Sequence, residues 1–233
     1  MSYESLTSFV NEEVEGVKPS TQGWMWIEEA GPFIHFKWEI QHYLQIYKQN
    51  CRQFKVAVQA GGHMGMFPRM MAEIFETVYT FEPDSISFHC LSNNCQEKNI
   101  IKFNTALGNN GPLMYQSHYY YGNVGMNNYK TLTEGVEPVT EYFDRDCKKE
   151  PAIPNIPQIR IDDLGLTDCD LIHLDMEGNE KYAFEGMIKT ITKYKPLILF
   201  ESGPVQETYD YLLSLGYDKL YNPGDAGYIW TPK

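Results

Sequence analysis

The chain has 233 residues, a length that fits one large domain with a substantial core rather than two separate ones. Its 42% hydrophobic and 21% charged content is ordinary globular usage and excludes wholesale disorder. With 19 basic against 31 acidic residues the formal net charge is −12, which disfavours general binding to phosphate backbones.

Residues 1–50 form the least regular part and are expected to be an N-terminal helical or irregular extension packed on the core. The opening MSYESLTSFVNEEVE is acidic where a secretory signal would be basic and then apolar, and no stretch approaches the ~20 apolar residues that span a bilayer. A cytoplasmic protein that does not enter membranes is the resulting expectation. The aromatics Trp24, Trp26, Phe33 and Phe36 are expected to pack, and Trp38, Ile40, Tyr43, Leu44, Ile46 and Tyr47 recur with helical spacing, predicting an amphipathic helix over 37–50 on the sheet edge. Five cysteines, an odd number without a C-x-x-C pair, argue against a disulfide framework or a zinc knuckle and predict reduced, buried thiols.

From residue 55 short apolar runs alternate with helical stretches, the signature of βα units around a parallel sheet. Strands are predicted near 55–59, 77–82, 100–105, 157–161, 171–175, 196–201, 217–221 and 226–231, and helices near 65–75, 85–97, 179–192 and 204–215. The last two strands flank the turn residues Asn222 to Asp225 and are expected to pair as an antiparallel hairpin. Residues 109–156 break the rhythm and read as an insertion, either a lid over a substrate or a surface excursion of strands.

Two constellations carry chemistry. The first strand runs through Gln59 and Ala60 into Gly61, Gly62, His63 and Gly65, an A-x-G-x-x-G turn whose residues without a Cβ let backbone approach a ligand closely. The second strand ends in Glu82, placed to accept hydrogen bonds from vicinal ribose hydroxyls. Asn104, Ala106 and Leu107, at the end of the third strand, border that position and are candidates for contact with the base attached to such a ribose. In the second constellation, strand alternation puts His173 and Asp175 on one face, with Asp175 at the strand tip and Glu177 in the turn beyond. Carboxylates there would stabilise a cationic centre on a bound ligand and deprotonate a substrate hydroxyl, so Asp175 and Glu177 are the catalytic candidates and Asp175 a cofactor contact as well. Glu201, at the end of the next strand, and His173 are candidates for touching substrate. Asn179 reads as the cap of the helix that follows, with Glu180 in its first turn. Asp175, Glu177 and Glu201 are of the right type for Mg²⁺, but no fixed spacing supports a metal and none is assigned.

The segments VAVQAGGHMGMFP, VYTFEPD, LSNNCQEKN, FNTALG, IRIDDL, LIHLDMEGNEKYAFEGM and KPLILFES resemble, in order and spacing, those of the FkbM-type S-adenosylmethionine-dependent methyltransferases over residues 54–203. The run Asp175-x-Glu177-Gly178-x-Glu180 is the most specific piece. The resemblance implies a Rossmann-like α/β fold of the class I methyltransferase type, over residues 51–233, with a mostly parallel seven-stranded sheet ending in an antiparallel strand. It also implies S-adenosyl-L-methionine as cofactor and a sugar or small-molecule hydroxyl as methyl acceptor. The family commonly ends its first strand in Asp; Gln59 stands there and carries no charge, which weakens the expected hold on the cofactor. A non-catalytic binding or scaffold module on the same fold, or an NAD-dependent oxidoreductase, are the alternatives the residues leave open.

Overall fold

The computed structural model describes Trp24 and residues 36–120, 123–143, 147–201, 206–220 and 228–233; of the side chains of residues 36–39, 41 and 124 nothing is described. The expected turn at 222–225 and the expected packing of Trp26, Phe33 and Phe36 therefore lie outside the described residues.

A first helix, α1 (Phe36–Asn50), leads into β1 (Val56–Ala60), α2 (Met66–Met71), β2 (Thr77–Phe81), α3 (Ser85–Asn94) and β3 (Ile100–Phe103). After the inserted region come β10 (Leu171–Leu174), α4 (Glu180–Glu185), α5 (Ile188–Tyr194), β11 (Leu197–Phe200), α6 (Gln206–Ser214), β12 (Tyr217–Leu220) and β13 (Tyr228–Pro232). The seven-stranded sheet has the order β12-β13-β11-β10-β1-β2-β3. Its strands are parallel except β13, which runs antiparallel to both β11 and β12. This is the sheet that the class I methyltransferase resemblance implies.

All five residues of β1 are buried, as a central parallel strand covered on both faces requires. Ala57, Leu171 and Leu199 face a core shared with α1 and α2, through Tyr43, Tyr47, Phe67 and Met70. Val58, Ile172, Leu174 and Ile198 face the other core, with Ala183, Phe184, Ile191 and Leu212 from α4, α5 and α6. Trp24 is buried, with the Arg69 guanidinium of α2 4.8 Å from its ring. Cys90, Cys95 and Cys169 are buried thiols as expected, whereas Cys147 is exposed.

The predicted strand at 157–161 does not join the main sheet. Only Gln158 and Ile159 (β9) are extended, and they pair with β4 (Ala106–Leu107) in a separate two-stranded sheet. The chain then turns through a 3-10 segment at Ile161–Asp163, and the Asp162 carboxylate accepts hydrogen bonds from the backbone N–H groups of Lys189 and Thr190 at 3.1 and 2.8 Å. It thereby caps α5, whose own N-cap residue, Met187, provides no side-chain hydrogen bond. The long helix predicted over 179–192 is broken at Gly186 into α4 and α5.

The insertion folds as a four-stranded sheet in the order β6-β5-β7-β8, made of β5 (Met114–Tyr120), β6 (Asn128–Thr131), β7 (Val139–Phe143) and β8 (Lys149–Pro151). Met114 and Ile156 exchange two backbone hydrogen bonds, of 2.8 and 3.1 Å, which close the base of the insertion.

Candidate active site

The sheet order reverses between β1 and β10, so the helices that follow these strands diverge and leave a crevice at their C-terminal ends, where open α/β sheets take ligands. A cavity of about 910 Å³, including the part open to solvent, lies there.

The glycine turn forms one wall. Gly61 and Gly62 both donate their N–H to the Phe81 carbonyl, at 3.1 and 2.9 Å, which folds the end of β1 over β2. Gly61 has φ +81°, and a Cβ there would overlap the Asp175 carbonyl oxygen. At Gly62 the constraint is close packing: a Cβ would sit 2.7 Å from Thr80 Oγ1. His63 follows in the left-handed region and its N–H donates to Glu82 Oε2 at 2.7 Å. Burial pushes its imidazole down to about 4, so it faces the cavity neutral.

Glu82 sits at the adjacent strand end, buried, with its second oxygen accepting from the Asp84 N–H at 2.8 Å. Burial pushes its carboxyl up to about 8, against the two backbone N–H bonds that favour its charge. When ionised, each oxygen keeps acceptor capacity beyond its backbone partner. Asp84 caps α3 by accepting from the N–H groups of Ile86 and Ser87 and also lines the cavity. Ala106 and Leu107 supply buried apolar wall.

Asp175 and Glu177 close the opposite side. The Asp175 N–H donates to the Ala60 carbonyl at 3.1 Å, extending the β1–β10 ladder by one bond and setting its carboxyl against those of its neighbours. One carboxylate oxygen from each of Asp175, Glu177 and Glu201 lies within 4.8 Å of the others. Burial and then the Glu201 and Glu177 carboxyls hold Asp175 well above the usual carboxylate range, and burial with the charges of Glu201 and Glu180 raises Glu177 to about 7. The group can either share protons or hold a hard cation through oxygen ligands.

Several predicted residues stand outside the cavity lining. Gln59 is fully buried behind the turn; its amide donates to the carbonyls of Ala60 and Gly61 at 3.0 and 2.7 Å and accepts from Thr80 Oγ1 at 2.7 Å. Gly65 is the left-handed N-cap of α2. Asn104 donates to the carbonyls of Glu82 and Pro83 at 2.9 and 3.3 Å, bracing the Glu82 strand end. Glu201 is exposed and joins the carboxylate group without lining the cavity. The substrate-facing role expected of His173 does not fit its placement: it is buried under α1, shares a 2.5 Å hydrogen bond with the Tyr47 hydroxyl, and packs against Tyr43 and Phe67. Alternation did put it on one face with Asp175, but α1 covers that face one residue before the sheet ends.

Asn179 occupies the N-cap position of α4 without making a side-chain cap bond. Its amide instead donates to the carbonyls of Tyr129 and Met176, at 3.1 and 3.2 Å, while the Asn128 amide of β6 donates to the Glu177 carbonyl. The insertion is thus tied to the acidic turn and adds Met114, Gly125, Asn127 and Tyr129 to the cavity wall. None of these had a local signal in the sequence. Asp84, two residues beyond Glu82, was within reach of the same strand-end argument.

Three solved structures illustrate what the chain is similar to. A methyltransferase FkbM from Methylobacillus flagellatus KT aligns at 15% identity and TM-score 0.46, over 97% of this chain and 57% of that one. A precorrin-6y C5,15-methyltransferase from Geobacter metallireducens GS-15 aligns at 11% identity and TM-score 0.43, over 82% and 88% of the two chains. A SAM dependent methyltransferase from Aquifex aeolicus aligns at 11% identity and TM-score 0.38, over 82% and 86%. The present chain thus spans little more than half, 57%, of the length of the first of these. No protein of curated function matches it. The model of the methyltransferase FkbM domain matches residues 65–219, well over half of the sequence, and the chain therefore belongs to the FkbM methyltransferase family.

Proposed function

We propose that the protein is an S-adenosylmethionine-dependent O-methyltransferase whose acceptor is a sugar or another small molecule bearing a hydroxyl. The observation that carries this reading is the meeting, across one cavity, of the Glu82 carboxylate on one wall and the Asp175–Glu177 pair on the other. The residues fit the cofactor: the backbone of Gly61 and Gly62 lines the cavity, and Glu82 is buried there with one fixed N–H on each oxygen. When bound, S-adenosylmethionine supplies an electrophilic methyl group on a sulfonium centre.

Glu82 would hold the two ribose hydroxyls, with Ala106 and Leu107 beside the base and the backbone of Gly61, Gly62 and His63 along the amino-acid portion. Gln59 acts one step back, holding the Gly61 carbonyl. Asp175 and Glu177 line the acceptor side. Glu177, poised at about 7, is suited to take the proton from an acceptor hydroxyl, a role for which a base needs a pKa near the working pH. Displacement at a methyl group asks mainly for alignment, which rigid strand ends provide. Glu201 would reach the acceptor only from the solvent side of the carboxylate group.

Calorimetric titration with S-adenosylmethionine and, separately, NAD tests the reading. Micromolar binding of the former alone, weakened at least tenfold in Glu82→Ala, supports it and justifies an acceptor screen that follows S-adenosylhomocysteine release. Binding of neither ligand leaves a scaffold protein, and preference for NAD an oxidoreductase.

A further inference from the structure

The parallel sheet supplies only part of the cavity's enclosure at the Glu82 end. Phe81, Glu82 and Asp84 come from the β2 strand end, and Ala106 and Leu107 from the chain just after β3. Against them stand two residues of the insertion. Ala106, Met114 and Ile156 form a small buried apolar cluster, and the half-buried Tyr129 packs against it. Met114 and Tyr129 both line the cavity.

Tyr129 is held there on a rigid element. Its strand pairs with β5 opposite Gln116, and its own carbonyl accepts the Asn179 amide at 3.1 Å. Its phenol stands close enough to Glu82 and Asp84 that their charges, after burial, push it well above the ordinary phenol value. A purine is a flat ring with apolar faces and a polar edge. An enclosure with Ala106, Leu107 and Met114 as apolar wall, an aromatic ring, and two carboxylates at one margin matches that shape and polarity.

We infer that the insertion builds one wall of the nucleoside end of the cofactor cavity, and that Tyr129 is a cofactor-contacting residue supplied from outside the parallel-sheet core. This rests on the S-adenosylmethionine reading of the cavity. It gives the insertion a part in holding the cofactor, beyond that of a lid over the acceptor. Through the bonds from Asn128 to Glu177 and from Asn179 to Tyr129, the strand that touches the nucleoside also holds the acidic turn that faces the acceptor.

The test is calorimetric titration of the wild type, Tyr129→Ala and Tyr129→Phe with S-adenosylmethionine and with adenosine, together with hydrogen exchange of the wild type. Loss of an aromatic face against a base is expected to weaken both ligands by a common factor of about ten or more in Tyr129→Ala. Tyr129→Phe should stay within about twofold of the wild type, since the ring and not the hydroxyl makes the wall. Saturating S-adenosylmethionine should slow amide exchange across residues 114–131. Unchanged affinity in Tyr129→Ala overturns the inference, as does loss of S-adenosylmethionine binding with adenosine binding intact, or an equal loss in Tyr129→Phe. If Tyr129→Ala fails to fold, the exchange measurement decides, and no slowing across 114–131 overturns the inference. A wild type that binds neither ligand overturns the cofactor reading itself and this inference with it, whereas binding indifferent to Tyr129→Ala overturns this inference alone.

Discussion

Gln59 and Glu177 show how a side chain's neighbours decide its meaning. Without a charge, Gln59 reads in the sequence as a weakened cofactor contact; in the fold it is a buried amide that donates to two carbonyls and accepts from one hydroxyl. Only a group with both a donor and an acceptor satisfies that set. Gln59→Glu, nearly identical in shape, removes the donor and should cost about 1–3 kcal/mol of stability, the usual cost of leaving buried polar groups unpaired, read as a lowered urea midpoint. Glu177 has its carboxyl raised to about 7 by burial and by neighbouring carboxylates. A base must be deprotonated to act, so kcat/KM should climb as pH rises through about 7 and level off above it. Glu177→Gln should lower turnover by roughly 10²–10⁴-fold, the usual range for a general base, and abolish that rise. A wild-type profile flat between pH 6 and 8 would remove Glu177 from the role.

At the scale of elements, the acidic turn and the capping of α5 both depend on partners far away in the chain. Asp162 lies in the family-like IRIDDL segment, just beyond the strand predicted over 157–161; its carboxylate satisfies two N–H groups and the Thr190 hydroxyl at the start of α5. Asp162→Ala should therefore destabilise the protein by about 1–2 kcal/mol, measured by chemical denaturation, while leaving cofactor affinity unchanged. The acidic turn carries two consecutive residues of positive φ, Glu177 at +50° and Gly178 at +92°. Asn128 bonds the carbonyl of the first of these, so the insertion helps hold a conformation that Glu adopts reluctantly. The region 109–156, for which a substrate lid and an excursion of surface strands were the two expectations, forms a sheet of its own that adds residues to the cavity wall.

For the molecule as a whole, burying so many carboxyls at one end of the sheet ties stability to pH. Glu82 is raised from 4.5 to about 8 and Glu177 from 4.5 to about 7, so between those values the folded state binds more protons than the unfolded chain and stability falls as pH rises. His63 and His173 act in the opposite sense, since burial lowers them from 6.5 to about 4 and 3, and their effect is complete once pH exceeds 6.5. Above that point Glu82 still holds its proton in the folded state up to about 8, and the melting temperature should drop by several degrees from pH 6.5 to pH 8.5. Glu82→Gln should flatten this slope in a thermal scan; an equally steep slope in the variant would place the burial cost elsewhere. By itself the sequence determined the alternation of strands and helices, the glycine turn, Glu82 at the strand end and the Asp175–Glu177 turn. Each of these is written in contiguous residues, through apolar periodicity, residues lacking a Cβ, and a charge where a strand stops. Only the tertiary structure decided that His173 lies under α1, that Gln59 supports the turn from behind, that Asp162 caps a helix 26 residues on, and that Tyr129 joins a cavity whose other walls come from residues 60–107 and 175–179. Those roles are set by packing and hydrogen bonds between segments distant in the chain, and a local pattern cannot encode which distant partner a buried polar group or an aromatic ring will meet.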